Sequence, residues 1–399
     1  MQLKLVVVMA SLMGINAWAG GIKVDNDLDR DFKADLCGYD RGEWKDGADS
    51  TTVYSWGYDG TTPVPGDYNS DGYVDLGVYD PANGAWYAAS TDGAIILWGT
   101  RWGGFPGATP FVGDVDGDGI KDLIIYDWNT GKWYIRNLNG TILAWALAWG
   151  AAGSVPVPAD YNNDGETELG VYNKDTGKWY ICNLSGNVLA NGIQWGGGCG
   201  VPVPGDYNGD GRTEIGVCFN NTDWYARDVN GTTTLNGKKW GFAGAMMITG
   251  DFNGDRKTDL GALSYDGTIE WNWFVTTKSG TALLWNKRFG DTSQAILGAT
   301  IPMYDLSGRW DHYVKGARKD TLTIVQSRNK LIVRGAAGLR YFGAVGGNAA
   351  SMARISGSGN TITLAGMGGS ILSSTLVRGT FYSTTASEGQ KVAWELRRR

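Results

Sequence analysis

One line of sequence recurs almost unchanged along this chain, and it constrains the fold more than any other feature. Pro-Val-Pro-Gly-Asp-Tyr-Asn-Ser-Asp-Gly occupies 63–72. It returns at 156–165 with Ala159 in place of glycine, and again at 202–211. Looser copies begin at Asp27, Asp114 and Asp251, so the six leading aspartates are spaced 40, 47, 46, 46 and 45 residues apart. A period of about 40–45 residues with tryptophan and glycine marks is that of a four-stranded propeller blade. A second mark keeps step with the first. Trp-Gly stands at Trp56, Trp102, Trp149, Trp195 and Trp240, each 11 or 12 residues before the next acidic line. Phe289, Phe342 and Trp394 continue this series and bring it to eight.

The third repeat divides into strands. A short strand leads into Asp114, and Leu123 to Tyr126 is a second strand. Asn129-Thr130-Gly131 turns the chain into a third strand, Lys132 to Asn137. Asn139-Gly140 predicts a type I′ hairpin, with positive φ at both central residues, before a fourth strand over Thr141 to Trp149. The 62 glycines of the 399 residues argue against long helices, because an interior glycine costs a helix about 1 kcal/mol relative to alanine. The expectation is an all-β chain, a β-propeller of four-stranded antiparallel blades, with eight repeats over residues 20–399. Seven blades with an irregular tail is the alternative, because Asp305-Leu306-Ser307-Gly308-Arg309 is a decayed copy and Ser356 to Asn360 a weaker one.

Tryptophans mark the third strand of each repeat at Trp44, Trp86, Trp133, Trp179, Trp224 and Trp271. Wide aromatic side chains suit the contact between twisted sheets, each burying about 150–250 Å². The other reading is a ring of sugar-stacking platforms. Tryptophans out of phase with the repeat, such as Trp128, fit that role better.

The acidic line follows the template Asp-x-Asp/Asn-x-Asp-Gly-x-x-Asp/Glu. Its copies supply Asp27, Asp29, Asp31 and Asp35; Asp67, Asn69, Asp71 and Asp75; and Asp114, Asp116, Asp118 and Asp122. The later copies supply Asp160, Asn162, Asp164 and Glu168; Asp206, Asn208, Asp210 and Glu214; and Asp251, Asn253, Asp255 and Asp259. So many like charges need a counter-ion. Calcium, which takes six to eight oxygens at about 2.3–2.6 Å, fits alternate side chains on a curling loop better than magnesium does. About six structural calcium sites are expected. Glycine at position 6 permits the bend, as Gly72, Gly119, Gly165 and Gly211 do; Phe32 and Arg256 stand there in the first and sixth copies, which predicts strain or weaker binding. An Asx-turn that binds no metal uses the same residues. An EF-hand matches poorly, because the last acid is at position 9 and strand residues follow.

These repeats resemble the FG-GAP/VCBS family, whose propeller repeats also occur in integrin α chains. Trp102-Gly103 followed by Gly107-Ala108-Thr109-Pro110 echoes the family's Phe-Gly and Gly-Ala-Pro elements. The resemblance implies an extracellular propeller of seven or eight blades, serving adhesion or glycan recognition, with calcium at the loop positions above.

The first residues fit an export signal. Lys4 precedes an apolar run from Leu5 to Ile15, and Ala17-Trp18-Ala19 offers a cleavage site before Gly20. The run is short for a bilayer span, which needs about 20 apolar residues. Removing residues 1–19 takes the formal charge from −6 to −7, which does not favour a nucleic-acid partner. Four cysteines, Cys37, Cys182, Cys199 and Cys218, allow three pairings in an exported chain. A bridge within the last three is expected.

Three function classes remain. One is a binding or adhesion module for a glycan or an extracellular protein. Another is a calcium-dependent polysaccharide-active enzyme of the lyase kind, on the same scaffold. The last is a structural surface-layer component. No Gly-x-Ser-x-Gly or His-Glu-x-x-His motif and no phosphate loop supports the enzyme, and the single histidine, His312, lies in the decayed seventh repeat.

Overall fold

The computed structural model describes residues 27–47, 52–197, 200–242, 245–265, 270–291 and 295–296, the pairs Ala17–Trp18 and Gly21–Ile22, and the backbone of the strands between 308 and 398. Most of the expected leader, Cys199 and the decayed line at 305–307 lie outside them. No helix among the described residues is long and apolar enough to cross a membrane.

Six four-stranded antiparallel sheets form a β-propeller. Blade 2 comprises Thr62–Pro63, Leu76–Asp80, Ala85–Ala89 and Ile95–Arg101. Blade 3 comprises Ala108–Gly113, Asp122–Asp127, Lys132–Arg136 and Ile142–Ala148. Blade 4 runs from Val155–Pro156 through Leu169–Asn173 and Lys178–Cys182 to Val188–Gln194. Blade 5 runs from Val201–Pro202 through Ile215–Phe219 and Asp223–Arg227 to Thr233–Lys239. Blade 6 holds Met246–Gly250, Asp259–Tyr265, Glu270–Thr276 and Ala282–Asp291. In blades 2 to 5 the second strand is buried almost throughout, whereas the fourth repeats one pattern with a single buried residue and so faces solvent.

The ring closes by a strand exchange. Blade 1 takes Cys37–Asp40, Glu43–Asp46 and Thr52–Ser55 from the start of the chain, and its first strand is Ala295–Ile296, which pairs with Tyr39 and Gly38. Beyond that closure the expectation of eight blades fails. The strands Gly308–Val314, Ala317–Ser327, Lys330–Gly335, Arg340–Gly346, Ala349–Ser356, Thr363–Ser373, Leu376–Tyr382 and Lys391–Arg398 instead pair in order and close as one antiparallel barrel. Phe342 and Trp394, counted as blade marks, lie in barrel strands. Ala295–Ile296 completes blade 1, so the ring takes its strands from residues up to 296 and the later strands form a separate sheet.

The third-strand tryptophans are core. Trp44, Trp86, Trp133, Trp179, Trp224 and Trp273 are fully buried. Each donates its Nε1–H to the backbone carbonyl of the aromatic that ends the same blade: Trp56, Trp102, Trp149, Trp195, Trp240 and Phe289, at 2.6–3.0 Å. One hydrogen bond thus satisfies a buried donor and ties the third strand to the end of the fourth. In blade 6 the position belongs to Trp273 rather than Trp271. The glycine of each Trp-Gly mark is required by packing. A Cβ on Gly103 would meet the Tyr79 hydroxyl at 2.8 Å, and its φ of 94° already disfavours other residues.

Two finer expectations need correction. The hairpin at Asn139-Gly140 has positive φ at Gly140 alone (101°). Gly140 N–H bonds to the Asn137 carbonyl, and the Asn137 side chain accepts from Thr141 N–H. This is a three-residue loop whose glycine supplies the left-handed step. No bridge joins Cys182 to Cys218, which are buried free thiols in blades 4 and 5.

Candidate metal-binding loops

Each acidic line lies just before the second strand of its blade, so all six sit at one end of the ring. Blade 3 illustrates the geometry. Asp114 is buried at position 1, and its Oδ1 accepts from Gly117 N–H at 2.8 Å and Asp118 N–H at 3.1 Å. Its Oδ2 accepts from Gly119 N–H at 2.8 Å. The aspartate therefore winds the next five residues around its own carboxylate. Position 6 adopts positive φ in every copy: Gly72 91°, Gly119 83°, Gly165 90°, Gly211 86°, and, at the cost of strain, Phe32 65° and Arg256 66°. Position 4 does so as well, at Arg30, Ser70, Gly117, Asn163, Gly209 and Gly254. The template left that position blank, although its glycine and asparagine content is the usual signal of a left-handed residue.

Position 9 fixes the other end. One oxygen of each of these acids accepts the N–H of position 2, at 2.7–3.0 Å: Leu28 to Asp35, Tyr68 to Asp75, Val115 to Asp122, Tyr161 to Glu168, Tyr207 to Glu214 and Phe252 to Asp259. The second oxygen behaves in two ways. In the fourth, fifth and sixth loops the amide of position 3 reaches it: Asn162 Nδ2 donates to Glu168 Oε1 at 2.7 Å, Asn208 Nδ2 to Glu214 Oε1 at 2.5 Å and Asn253 Nδ2 to Asp259 Oδ1 at 3.3 Å. In the second and third loops Asp75 Oδ1 and Asp122 Oδ1 are buried with no hydrogen-bond partner.

The loops are also linked to one another. The N–H of position 8 donates to the position-1 carbonyl of the preceding loop: Lys121 to Asp67, Thr167 to Asp114, Thr213 to Asp160 and Thr258 to Asp206, at 2.5–3.3 Å. Ala34 N–H donates to the Asp251 carbonyl at 2.6 Å, which carries the series from the sixth loop back to the first.

Three of the predicted sets bring ligand atoms within 4.8 Å of one another: Asp27, Asp29 and Asp35; Asp114, Asp116 and Asp122; and Asp206, Asp210 and Glu214. Such groups can hold a metal ion. Position 5 is diverted in the first loop, where Lys33 Nζ takes Asp31 Oδ2 at 2.5 Å. In the third loop Asp118 Oδ1 accepts from Ile120 N–H.

Burial dominates the electrostatics. It pushes Asp75 up to about 7, and Asp122, Glu168, Glu214 and Asp259 up to about 8, against the pull of their backbone hydrogen bonds. Asp27, Asp114, Asp160, Asp206 and Asp251 are raised for the same reason. Without a cation, the folded protein holds these protons more tightly than the unfolded chain does. The stability they contribute is complete below about pH 4 and is lost as the pH rises through about 7–8. In chelator the melting temperature should therefore fall steadily from pH 5 to pH 8.5. A flat profile would show that these carboxylates carry no desolvation penalty.

This ring of six blades with an acidic loop in each defines a β-propeller with repeated carboxylate sites. Residues 114–171, which span the third and fourth acidic loops, match the model of an FG-GAP-like repeat. No curated protein matches the chain. Among solved structures, the chain is similar to an Agrocybe aegerita lectin described as specifically recognising non-reducing terminal N-acetylglucosamine. That match has 16% identity and a TM-score of 0.44, covering 75% of this chain and 89% of the lectin. It is also similar to the dihydro-heme d1 dehydrogenase NirN, at 12% identity and a TM-score of 0.33, over 80% of this chain and 72% of that one.

Proposed function

We propose that the protein is a secreted binding module, a propeller whose blades are held in register by calcium and whose surface engages a glycan or an extracellular protein. The observation that carries the metal reading is the pair of buried carboxylate oxygens without partners, Asp75 Oδ1 and Asp122 Oδ1. A buried, unpartnered carboxylate oxygen is costly, and a hard divalent cation is the partner its chemistry asks for. Positions 1, 3, 5 and 9 of each loop would supply the ligands. Bound calcium would keep the position-9 acids ionised at neutral pH. In the fourth and fifth loops, rotation of the Asn162 and Asn208 amides would present their carbonyl oxygens in place of the amide groups that now bind the glutamates. The leader, Met1 to Ala19, would direct export.

Native mass spectrometry of secreted protein in millimolar calcium tests this. The expected mass is that of a chain starting at Gly20 and carrying one ion per acidic loop. Asp122→Ala should lose one ion and leave the other loops filled. A wild-type chain with no bound calcium would overturn the metal reading.

A further inference from the structure

Three tryptophans stand outside every packing role described so far. Trp98, Trp145 and Trp285 are 70%, 68% and 71% exposed, although each lies on the fourth strand of a blade. All three sit four residues before the aromatic that ends their blade, beside a β-bulge where the next residue takes positive φ: Gly99 68°, Ala146 55° and Asn286 55°. A bulge re-aims a side chain out of the regular pleat. The same bulge occurs in blades 4 and 5, at Gly192 and Gly237, but there the preceding residues are Asn191 and Asn236. The fold therefore accepts a polar residue at this place, and it does not require tryptophan.

Each exposed indole is braced from two sides. Trp98 makes T-shaped contacts with Tyr87 at 5.5 Å in its own blade and with Trp56 of blade 1 at 6.0 Å. Trp145 meets Tyr134 at 5.4 Å and Trp102 of blade 2 at 5.8 Å. Trp285 meets Phe274 at 5.6 Å and Trp240 of blade 5 at 6.0 Å. The row continues with a fourth ring just after the Trp-Gly mark: Tyr58 on Tyr87, Phe105 on Tyr134 and Phe242 on Phe274, at 5.3–5.9 Å. Where asparagine replaces the exposed tryptophan, Ala151 and Gly197 follow the mark; at the second of these seams Phe219 packs on Tyr225 at 5.8 Å instead. Four-ring rows ending in an exposed tryptophan thus reach the surface at three blade seams, and at two others asparagine stands in the tryptophan's place.

We propose that these rows are carbohydrate-binding platforms, with Trp98, Trp145 and Trp285 each stacking on the apolar face of one pyranose ring. This rests on the binding-module reading above and names its ligand class. Three features favour a sugar. A single braced indole matches one sugar ring in size, whereas a stable protein interface needs about 800 Å² on each partner. Polar groups flank the rings, as a ligand with both apolar faces and hydroxyls requires. Beside the first row, Tyr58 hydroxyl and Asn83 Nδ2 converge on the Asp80 carboxylate at 2.7 Å. Beside the second, the Arg136 guanidinium lies 5.9 Å from the centre of the Trp102 ring. The formal charge of −6 disfavours the other common stacking ligand, single-stranded nucleic acid. Blades 2 and 3 are neighbours, so a branched or repeating glycan can engage two platforms at once and gain avidity.

The test uses the full secreted chain in calcium on an array of neutral, amino and acidic pyranose glycans, with oligo(dT) printed alongside. Wild type should bind one or more of the glycans and not oligo(dT). The triple variant Trp98→Asn, Trp145→Asn, Trp285→Asn places the residue of blades 4 and 5 at each platform. It should lose about tenfold or more in glycan binding, with bound calcium and melting temperature unchanged. The triple tyrosine variant keeps a flat ring and should retain most of the binding, which guards against a folding defect in the asparagine series. Full binding by the asparagine variant would overturn the platforms while leaving the binding module standing. Absence of any glycan binding by wild type, preference for oligo(dT), or a tyrosine variant as defective as the asparagine one would each overturn the sugar assignment. None of these outcomes changes the calcium count, which tests the metal reading separately.

Discussion

Stripped of divalent cations by a chelator, the protein should melt about 10–15 °C lower than in millimolar calcium. Extracellular calcium modules have dissociation constants of about 10⁻⁴–10⁻³ M. With a constant of about 0.1 mM and about 1 mM free ion, linkage stabilises the fold by about 1.4 kcal/mol per site. Six such sites contribute about 8 kcal/mol, within the whole net stability of an ordinary domain at about 5–15 kcal/mol. The first and sixth loops give less than the average, since Phe32 and Arg256 hold left-handed backbone without the freedom of glycine. Those two loops also flank the closure of the ring, where Ala34 N–H meets the Asp251 carbonyl and Ala295–Ile296 completes blade 1. Loosening there should spread, because every loop from the second to the sixth hands its position-1 carbonyl to the next loop in the ring. The transition in chelator should therefore be broad as well as early. Calcium should restore it, and equal magnesium should not, because magnesium demands tighter octahedral geometry and keeps its waters. Identical melting curves in chelator and in calcium would sink the structural role of the ion.

The acidic line was the legible part of this fold, because each of its residues answers a backbone demand. Position 1 must wind a turn, position 6 must accept positive φ, and position 9 must pin the start of the loop. Six copies met those demands, and six blades formed. The aromatic-glycine mark asks less. In sequence it asks only for an aromatic residue at the right interval, so Phe342 and Trp394 fit the series without belonging to a blade. The closing strand has two residues, and its partner in blade 1 lies more than two hundred positions earlier; no local pattern announces such a pairing. Alternation likewise could not separate Trp271 from Trp273, which lie two positions apart in one strand. The hydrogen bond from Trp273 Nε1 to the Phe289 carbonyl decides between them. The exposed tryptophans escaped for a related reason. Their bulges break the alternation that would have placed them, and the repeated tryptophans nearby read as core. Trp128, the out-of-phase residue favoured as a ligand contact, is only half-exposed and packs against the main core.

Two tryptophans twelve residues apart in blade 3 should respond very unequally to the same substitution. Trp133 is fully buried against Tyr126, with ring centres 4.8 Å apart, and against Phe111 at 6.5 Å. Its removal leaves a cavity that the flanking blades cannot fill, because they are fixed by their own third-strand tryptophans. It also leaves the Trp149 carbonyl without the donor that reaches it at 2.6 Å. Trp133→Ala should cost about 3–5 kcal/mol, the usual range for a large aromatic deleted from a core. Trp133→Phe should fall between this variant and wild type, since it keeps most of the volume but gives up the Nε1–H bond. Trp145→Ala removes an equally large side chain, but one that is 68% exposed, and should change stability by less than about 1 kcal/mol. Denaturant unfolding of the variants, all at one calcium concentration, measures the difference. Equal losses at Trp133 and Trp145 would mean that the exposed indole is also structural, and would remove the contrast between core ring and surface platform.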